Sequence, residues 1–191
     1  MDTNKKNYLS VKGGSASGGK FYLMLVLCLL VRLIPFRTPN IEPILAATMP
    51  FSRVYGAFTA FSFAVLSILL YDLATSTLGM QTFFTAGAYG IIGLWAASHF
   101  KKREANAWNY VRFAVIGTLV FDALTGLTVG PFFFHQSFLG ALAGQIPFTA
   151  LHLAGNIAFA FVLSPAIYNF LIKKKKKERP TIINVLHPET I

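Results

Sequence analysis

Val54–Ala74, VYGAFTAFSFAVLSILLYDLA, and Trp108–Leu127, WNYVRFAVIGTLVFDALTGL, decide the class of this chain. Each is an almost unbroken apolar run, close to the ~20 residues that carry a helix across a bilayer. Each holds one aspartate late in the run, Asp72 and Asp122. A shift of fifty residues lays Ser62–Gly90 over Arg112–Gly140. Phe63, Ala64, Val65, Leu69, Asp72, Thr75, Phe83, Phe84 and Gly90 then fall on Phe113, Ala114, Val115, Leu119, Asp122, Thr125, Phe133, Phe134 and Gly140. An ionisable side chain in a membrane span is costly and marks a candidate functional site. Two in register predict a paired polar site at one depth; the other reading is coincidence between two apolar helices that each end in Asp.

Composition agrees with this class. The 191 residues are 54% hydrophobic and 13% charged, against about 25% charged in soluble domains. The mean hydropathy is +0.57. The expected fold is an all-α, polytopic membrane domain over residues 21–172, between basic tails at 1–20 and 173–191. Met1–Lys20, with its Gly/Ser stretch Gly13–Gly19, reads as a flexible tail and not as a cleavable signal. Much of the net charge of +10 lies in Lys173–Lys177 and Arg179, directly after the last apolar run, where a basic cluster stops transfer and meets lipid headgroups. No soluble domain shapes that charge for nucleic acid, so none is expected as a partner. The single cysteine, Cys28, excludes an intramolecular disulfide and most thiolate metal sites, and is expected to be a small buried residue.

Six spans are expected, near Phe21–Pro35, Pro43–Phe51, Val54–Ala74, Gln81–Phe100, Trp108–Leu127 and Gln145–Ile172. Pro35, Pro39 and Pro43 break the chain after the first span. Arg32 is expected to snorkel to the headgroups. Ser52-Arg53 reads as a turn, as does Gly130-Pro131, with an interfacial helix in the Thr128–Gly144 stretch. The positive-inside rule places both termini, Arg53 and Lys101–Arg103 in the cytoplasm. Asp72, Asp122, Glu42 and the Phe132–His135 loop then converge at the outer face.

Asp72 and Asp122 fit helix capping, a polar or cationic ligand, or a proton or ion relay. His152 and Asn156, four apart, share one face of the last span, beside Pro147 and Gly155. They fit ligand binding or hydrogen bonding between helices; a metal set of His135, His152 and an Asp lacks ligand spacing. Arg37, Asn40 and Glu42 read as loop polarity or as a wall over an outward-facing pocket. Gly56, Ala60 and Ala64, Gly140 and Gly144, and Ala154 and Ala158 repeat small residues at four-residue spacing, which lets helices approach closely, within the bundle or against a partner. Nothing pairs a nucleophile with a base or cradles a phosphate, so no enzymatic activity, cofactor or ATP hydrolysis by this chain is expected.

Three stretches carry a resemblance. Arg37-Thr38-Pro39-Asn40-Ile41-Glu42-Pro43-Ile44-Leu45-Ala46, the Phe121-Asp122 step with the short outer loop after it, and Ile146-Pro147-Phe148 followed by His152, Asn156 and Pro165 resemble, in order, the substrate-binding S components of energy-coupling factor (ECF) transporters. The resemblance covers roughly residues 21–172 and is diffuse. It implies a six-helix protein of the cell membrane that captures a vitamin, a vitamin precursor or a metal ion from outside. It also implies docking on a coupling membrane subunit with two ATPase subunits. Carried over, it assigns Asn40, Asp122, His152 and Asn156 to the pocket, with Asp72 and Phe134 as neighbours. One departure is that Phe21–Pro35 lacks the Ala-x-x-x-Ala docking face of many members, for which Gly56, Ala60 and Ala64 offer a substitute. The competing expectations are a non-transporting scaffold of cell-envelope assembly and a solo ion- or proton-coupled transporter.

Overall fold

The computed structural model describes residues 18–36 and 41–177, with only the helix backbone for 173–177. Asn40 and Arg37 lie outside the described residues, as does most of each expected tail. Among the described residues the chain is all-α: α1 (Gly18–Leu33), α2 (Ile44–Tyr55), α3 (Ala57–Ala74), α4 (Met80–Lys101), α5 (Ala107–Phe134) and α6 (Phe138–Lys177). Ala57–Ala74, Ala107–Phe134 and Phe138–Ile172 are long and apolar enough to cross a membrane, as a multi-pass membrane protein requires.

The core is built around α2. Ile44 to Ser52 are all buried, walled in by α3, α4, α5 and α6. At about 1.5 Å per residue α2 is near 18 Å long, too short for the ~30 Å hydrocarbon core. Its apolar all-round surface therefore meets protein and not lipid. Thr48 and Ser52 return their hydroxyls to the Ile44 and Met49 carbonyls at 2.8 and 2.6 Å, which keeps α2 dry. Ser164 of α6 donates to the Ala46 carbonyl at 2.8 Å and pins α2 from the side.

Several boundaries differ from expectation, each for a local reason. The helix α2 runs through Ser52-Arg53 and breaks at Gly56, whose φ of 91° suits a residue without a Cβ. Likewise α5 runs through Gly130-Pro131, and the turn comes at His135. There the backbone N–H groups of His135 and Gln136 both donate to the Gly130 carbonyl, with His135 left-handed at φ 50°. Ser137 then caps α6, its hydroxyl accepting from Gly140 N–H at 3.1 Å. The expected interfacial helix is thus the first part of α6, continuous through Pro147 and Pro165.

Lys20, expected in the tail, belongs to α1. It is buried, and its ammonium donates to the Phe170 and Leu171 carbonyls at 2.7 and 2.8 Å. The start of α1 and the end of α6 therefore share one end of the bundle. Ala60 and Ala64 are buried, and a Cβ on Gly93 of α4 would stand 3.0 Å from the Ala60 backbone. The small-residue face of α3 is thus spent on α4 inside the molecule, which removes it as a docking face. Gly140, Gly144, Ala154 and Ala158 remain exposed on α6. Cys28 is buried, in a cluster with Met24, Ala47, Phe51 and Ile167.

Candidate functional site

At the end opposite Lys20, the C-termini of α1, α3 and α5 meet the N-termini of α2, α4 and α6. A cavity of about 500 Å³ opens there. From α1 and the residue pair ahead of α2 it takes Arg32 and Glu42, and from α4 Gln81 and Thr85. The α5 side supplies Phe121, Thr125, Gly126, Val129, Gly130 and Phe134. Gln136, Gln145, Phe148 and His152 close it. Gly126 and Gly130, four apart, make the room. A Cβ on Gly126 would fall within the Gln145 amide, and one on Gly130 would come 2.6 Å from the Gln136 amide oxygen.

Arg32 does not snorkel to the headgroups. Its side chain is 9% exposed, and Nε lies 2.9 Å from Glu42 Oε2 in an ion pair whose angle falls short of a hydrogen bond. Nη1 donates to the Ser67 carbonyl at 2.9 Å, and the guanidinium lies over the Tyr71 ring at 3.9 Å. Burial would make a lone charge here expensive, and Glu42 is its partner. Tyr89 donates to Glu42 Oε1 at 2.7 Å and packs on Phe121 at 4.2 Å between ring centroids. Glu42 is thus fixed as a wall residue by α1 and α4 together.

Deeper between α5 and α6 lie two polar rungs. Asp122 Oδ1 and His152 Nδ1 are 2.7 Å apart, with side chains 2% and 3% exposed. One turn away Asn156 Nδ2 donates to Thr118 Oγ1 at 2.8 Å. The i, i+4 spacing on both helices sets the rungs side by side. Three buried atoms of this ladder have no partner among the described residues: Asp122 Oδ2, His152 Nε2 and Asn156 Oδ1. Buried polar atoms nearly always find a partner, so three orphans in one cluster mark a place where a bound molecule or water completes the set.

Among the residues singled out from sequence, Asp122, His152 and Asn156 therefore come together, His152 and Phe134 on the cavity wall and the other two behind it. Asp72 is elsewhere. It sits in the last turn of α3, where Thr82 Oγ1 donates to its Oδ2 at 2.6 Å and itself accepts from Gly79 N–H at 3.1 Å. Asp72 thus ties the α3–α4 turn, while Asp122 is interior to α5, twelve residues from its end. The paired site at one depth does not form, because α5 is longer than α3. Among the described residues no three His, Cys, Asp or Glu side chains are grouped to hold a metal ion.

Arg32, the glutamines and the glycine pair were not singled out as cavity residues. The Gly126/Gly130 spacing, followed by Gln136 and Gln145, is the signal that could have found them. No family model, curated protein or solved structure matches this chain.

Proposed function

We propose that this protein is the membrane-embedded capture subunit of an uptake system, of the S-component type. In this reading the six helices place both termini in the cytoplasm and open the cavity outward. A separate coupling membrane subunit and ATPase subunits energise release. The cargo is a vitamin-like small molecule, a vitamin precursor or a metal ion. The observation that carries the reading is the cavity at the end opposite Lys20, where polar side chains converge among the Phe121, Phe134 and Phe148 rings, walled by a buried His152 whose Nε2 has no partner among the described residues. Eight of the fourteen lining residues are polar or charged, a more polar wall than most small-molecule sites, and placed polar groups are what orient a bound molecule. Arg32, Glu42 and Tyr89 hold the segment before α2 as one wall, and Ile41 lies directly on Gly155 of α6.

Native mass spectrometry of the protein purified in mild detergent tests this. A retained small molecule, lost in Asp122→Asn or His152→Ala, supports capture. An empty protein that brings cell-envelope proteins with it moves the assignment to a scaffold. One observation favours a solo ion- or proton-coupled transporter as a second reading: Asp122 lies in the interior of α5, with the Thr118–Asn156 rung beside it. That reading requires gradient-driven uptake into liposomes holding this protein alone.

A further inference from the structure

We infer that the cavity takes an uncharged, flat molecule whose carbonyl-type acceptor docks on an Nε2–H of His152; this rests on the capture reading above. The argument begins with the proton placement at Asp122–His152. A carboxyl–imidazole contact through Nδ1 has four arrangements without a net positive charge. The first is a carboxylate with a neutral imidazole that carries its hydrogen on Nδ1, which has a net charge of −1. The second is a carboxylate with an imidazolium, which is neutral overall. The third is a carboxylic acid donating to Nδ1 of an imidazole with its hydrogen on Nε2, also neutral overall. The fourth is a carboxylic acid with its hydrogen on Oδ2, whose Oδ1 accepts from Nδ1–H, and it too is neutral. Both side chains are almost fully buried and Asp122 Oδ2 has no partner, so the first arrangement buries an uncompensated charge. The fourth leaves the acid hydrogen, the strongest donor of the pair, without an acceptor among the described residues; the second and third set it between the two groups, and each places a hydrogen on Nε2. In those two arrangements His152, a lining residue, carries an Nε2–H with no acceptor among the described residues, which a bound molecule can supply.

The wall charges set the second property. Arg32 and Glu42 face each other at 2.9 Å, and Glu42 is further held by the Tyr89 hydroxyl. An anion finds Arg32 already paired, and a cation finds Glu42 already paired. Either would be desolvated with no free counter-charge from Arg32 or Glu42. Shape sets the third. The Phe121 and Phe148 rings stand at 80° and 81° to the His152 ring, with centroids 5.6 and 5.8 Å away. Planar apolar rings thus flank the imidazole on the cavity wall, and Gln81 and Gln145 add amides that both donate and accept.

The test uses protein in lipid nanodiscs and equilibrium dialysis, with empty nanodiscs to subtract partitioning. Three probes share one ring system: uncharged quinoline-3-carboxamide, anionic quinoline-3-carboxylate and cationic quinolin-3-ylmethylammonium. The carboxamide is expected to bind at least about tenfold more tightly than either charged probe, the discrimination of one well-made polar contact. His152→Leu in an Asp122→Leu background, which leaves no lone charge, is expected to abolish that preference. Gly126→Ala is the second variant. Its methyl must displace the Gln145 amide while favouring the helix, so it should weaken the carboxamide without unfolding the protein. Tighter His152-dependent binding of a charged probe overturns the uncharged class and leaves capture standing. Failure of all three probes to bind overturns the class as stated, and capture is then decided by the retained-mass measurement.

Discussion

Replacing both Asp122 and His152 by leucine should harm the fold less than replacing either alone. Their 2.7 Å contact, with side chains 2% and 3% exposed, gives full opposite charges an attraction of about 6 kcal/mol at an effective dielectric near 20. Desolvation of both groups takes back most of it, so the pair adds little net stability. Removing one partner is different. His152→Leu leaves a buried carboxyl with both oxygens unpartnered, and Asp122→Leu leaves an imidazole with neither nitrogen satisfied. Each single change should cost about 2–4 kcal/mol, and the double change should lie within about 1 kcal/mol of the unaltered protein. The coupling energy is then about 3 kcal/mol or more. Equilibrium unfolding by SDS in mixed micelles, followed by Trp95 and Trp108 fluorescence, measures all four proteins. Additive single effects, with a coupling no larger than the ~0.6 kcal/mol of an ordinary hydrogen bond between membrane helices, would refute the assignment of a charge-balanced pair.

The same unfolding assay checks four further variants. Glu42→Gln keeps an acceptor for Tyr89 but strips Arg32 of its counter-charge, and should cost about 2–3 kcal/mol. Gly93→Ala drives a methyl against the Ala60 backbone, which cannot rotate away, and should cost about 1–3 kcal/mol; Gly87→Ala on the same helix meets open space and should gain up to about 1 kcal/mol. Asn106→Ala removes the side-chain acceptor of Asn109 N–H at the start of α5 and should cost about 1 kcal/mol.

Helix existence was legible because lipid and a thin core both ask for apolar runs, and no strand pattern competes in this sequence. Which run faces lipid was not legible. The stretch Ile44–Phe51 reads like a short span, and only the packing of four helices around it shows a buried half-length helix. Helix ends failed where a local cap outweighed a breaker. Gly130-Pro131 is a strong turn signal in water, yet α5 runs through it and closes four residues later, where left-handed His135 and Gln136 donate to the Gly130 carbonyl. The site was half legible. Spacing on one helix found His152 and Asn156, and the cost of an aspartate in an apolar run found Asp122. Arg32 was assigned to the headgroups, because sequence cannot show a glutamate brought back ten residues later by a loop. Glycines 126 and 130 carry no charge or ring to draw notice; their role is the space they leave.

The fifty-residue similarity can now be read physically. It lays the α3–α4 hairpin over the α5–α6 hairpin, two units with the same order and direction. Matched positions such as Phe63 and Phe113, and Ala64 and Ala114, are wholly buried, so similar packing demands explain that part of the match. The aspartates show where the hairpins part. After Asp72 the helix stops within two residues, and a threonine claims the carboxylate for the turn. After Asp122 the helix runs on for twelve, which moves the carboxylate from a turn into the interior and commits it to His152. Those twelve residues also contribute Thr125, Gly126, Val129, Gly130 and Phe134 to the cavity. An α5 that stopped where α3 stops would keep the shared core positions and lose one wall of the cavity. The candidate site thus lies in what the second hairpin adds to the first, not in what the two have in common.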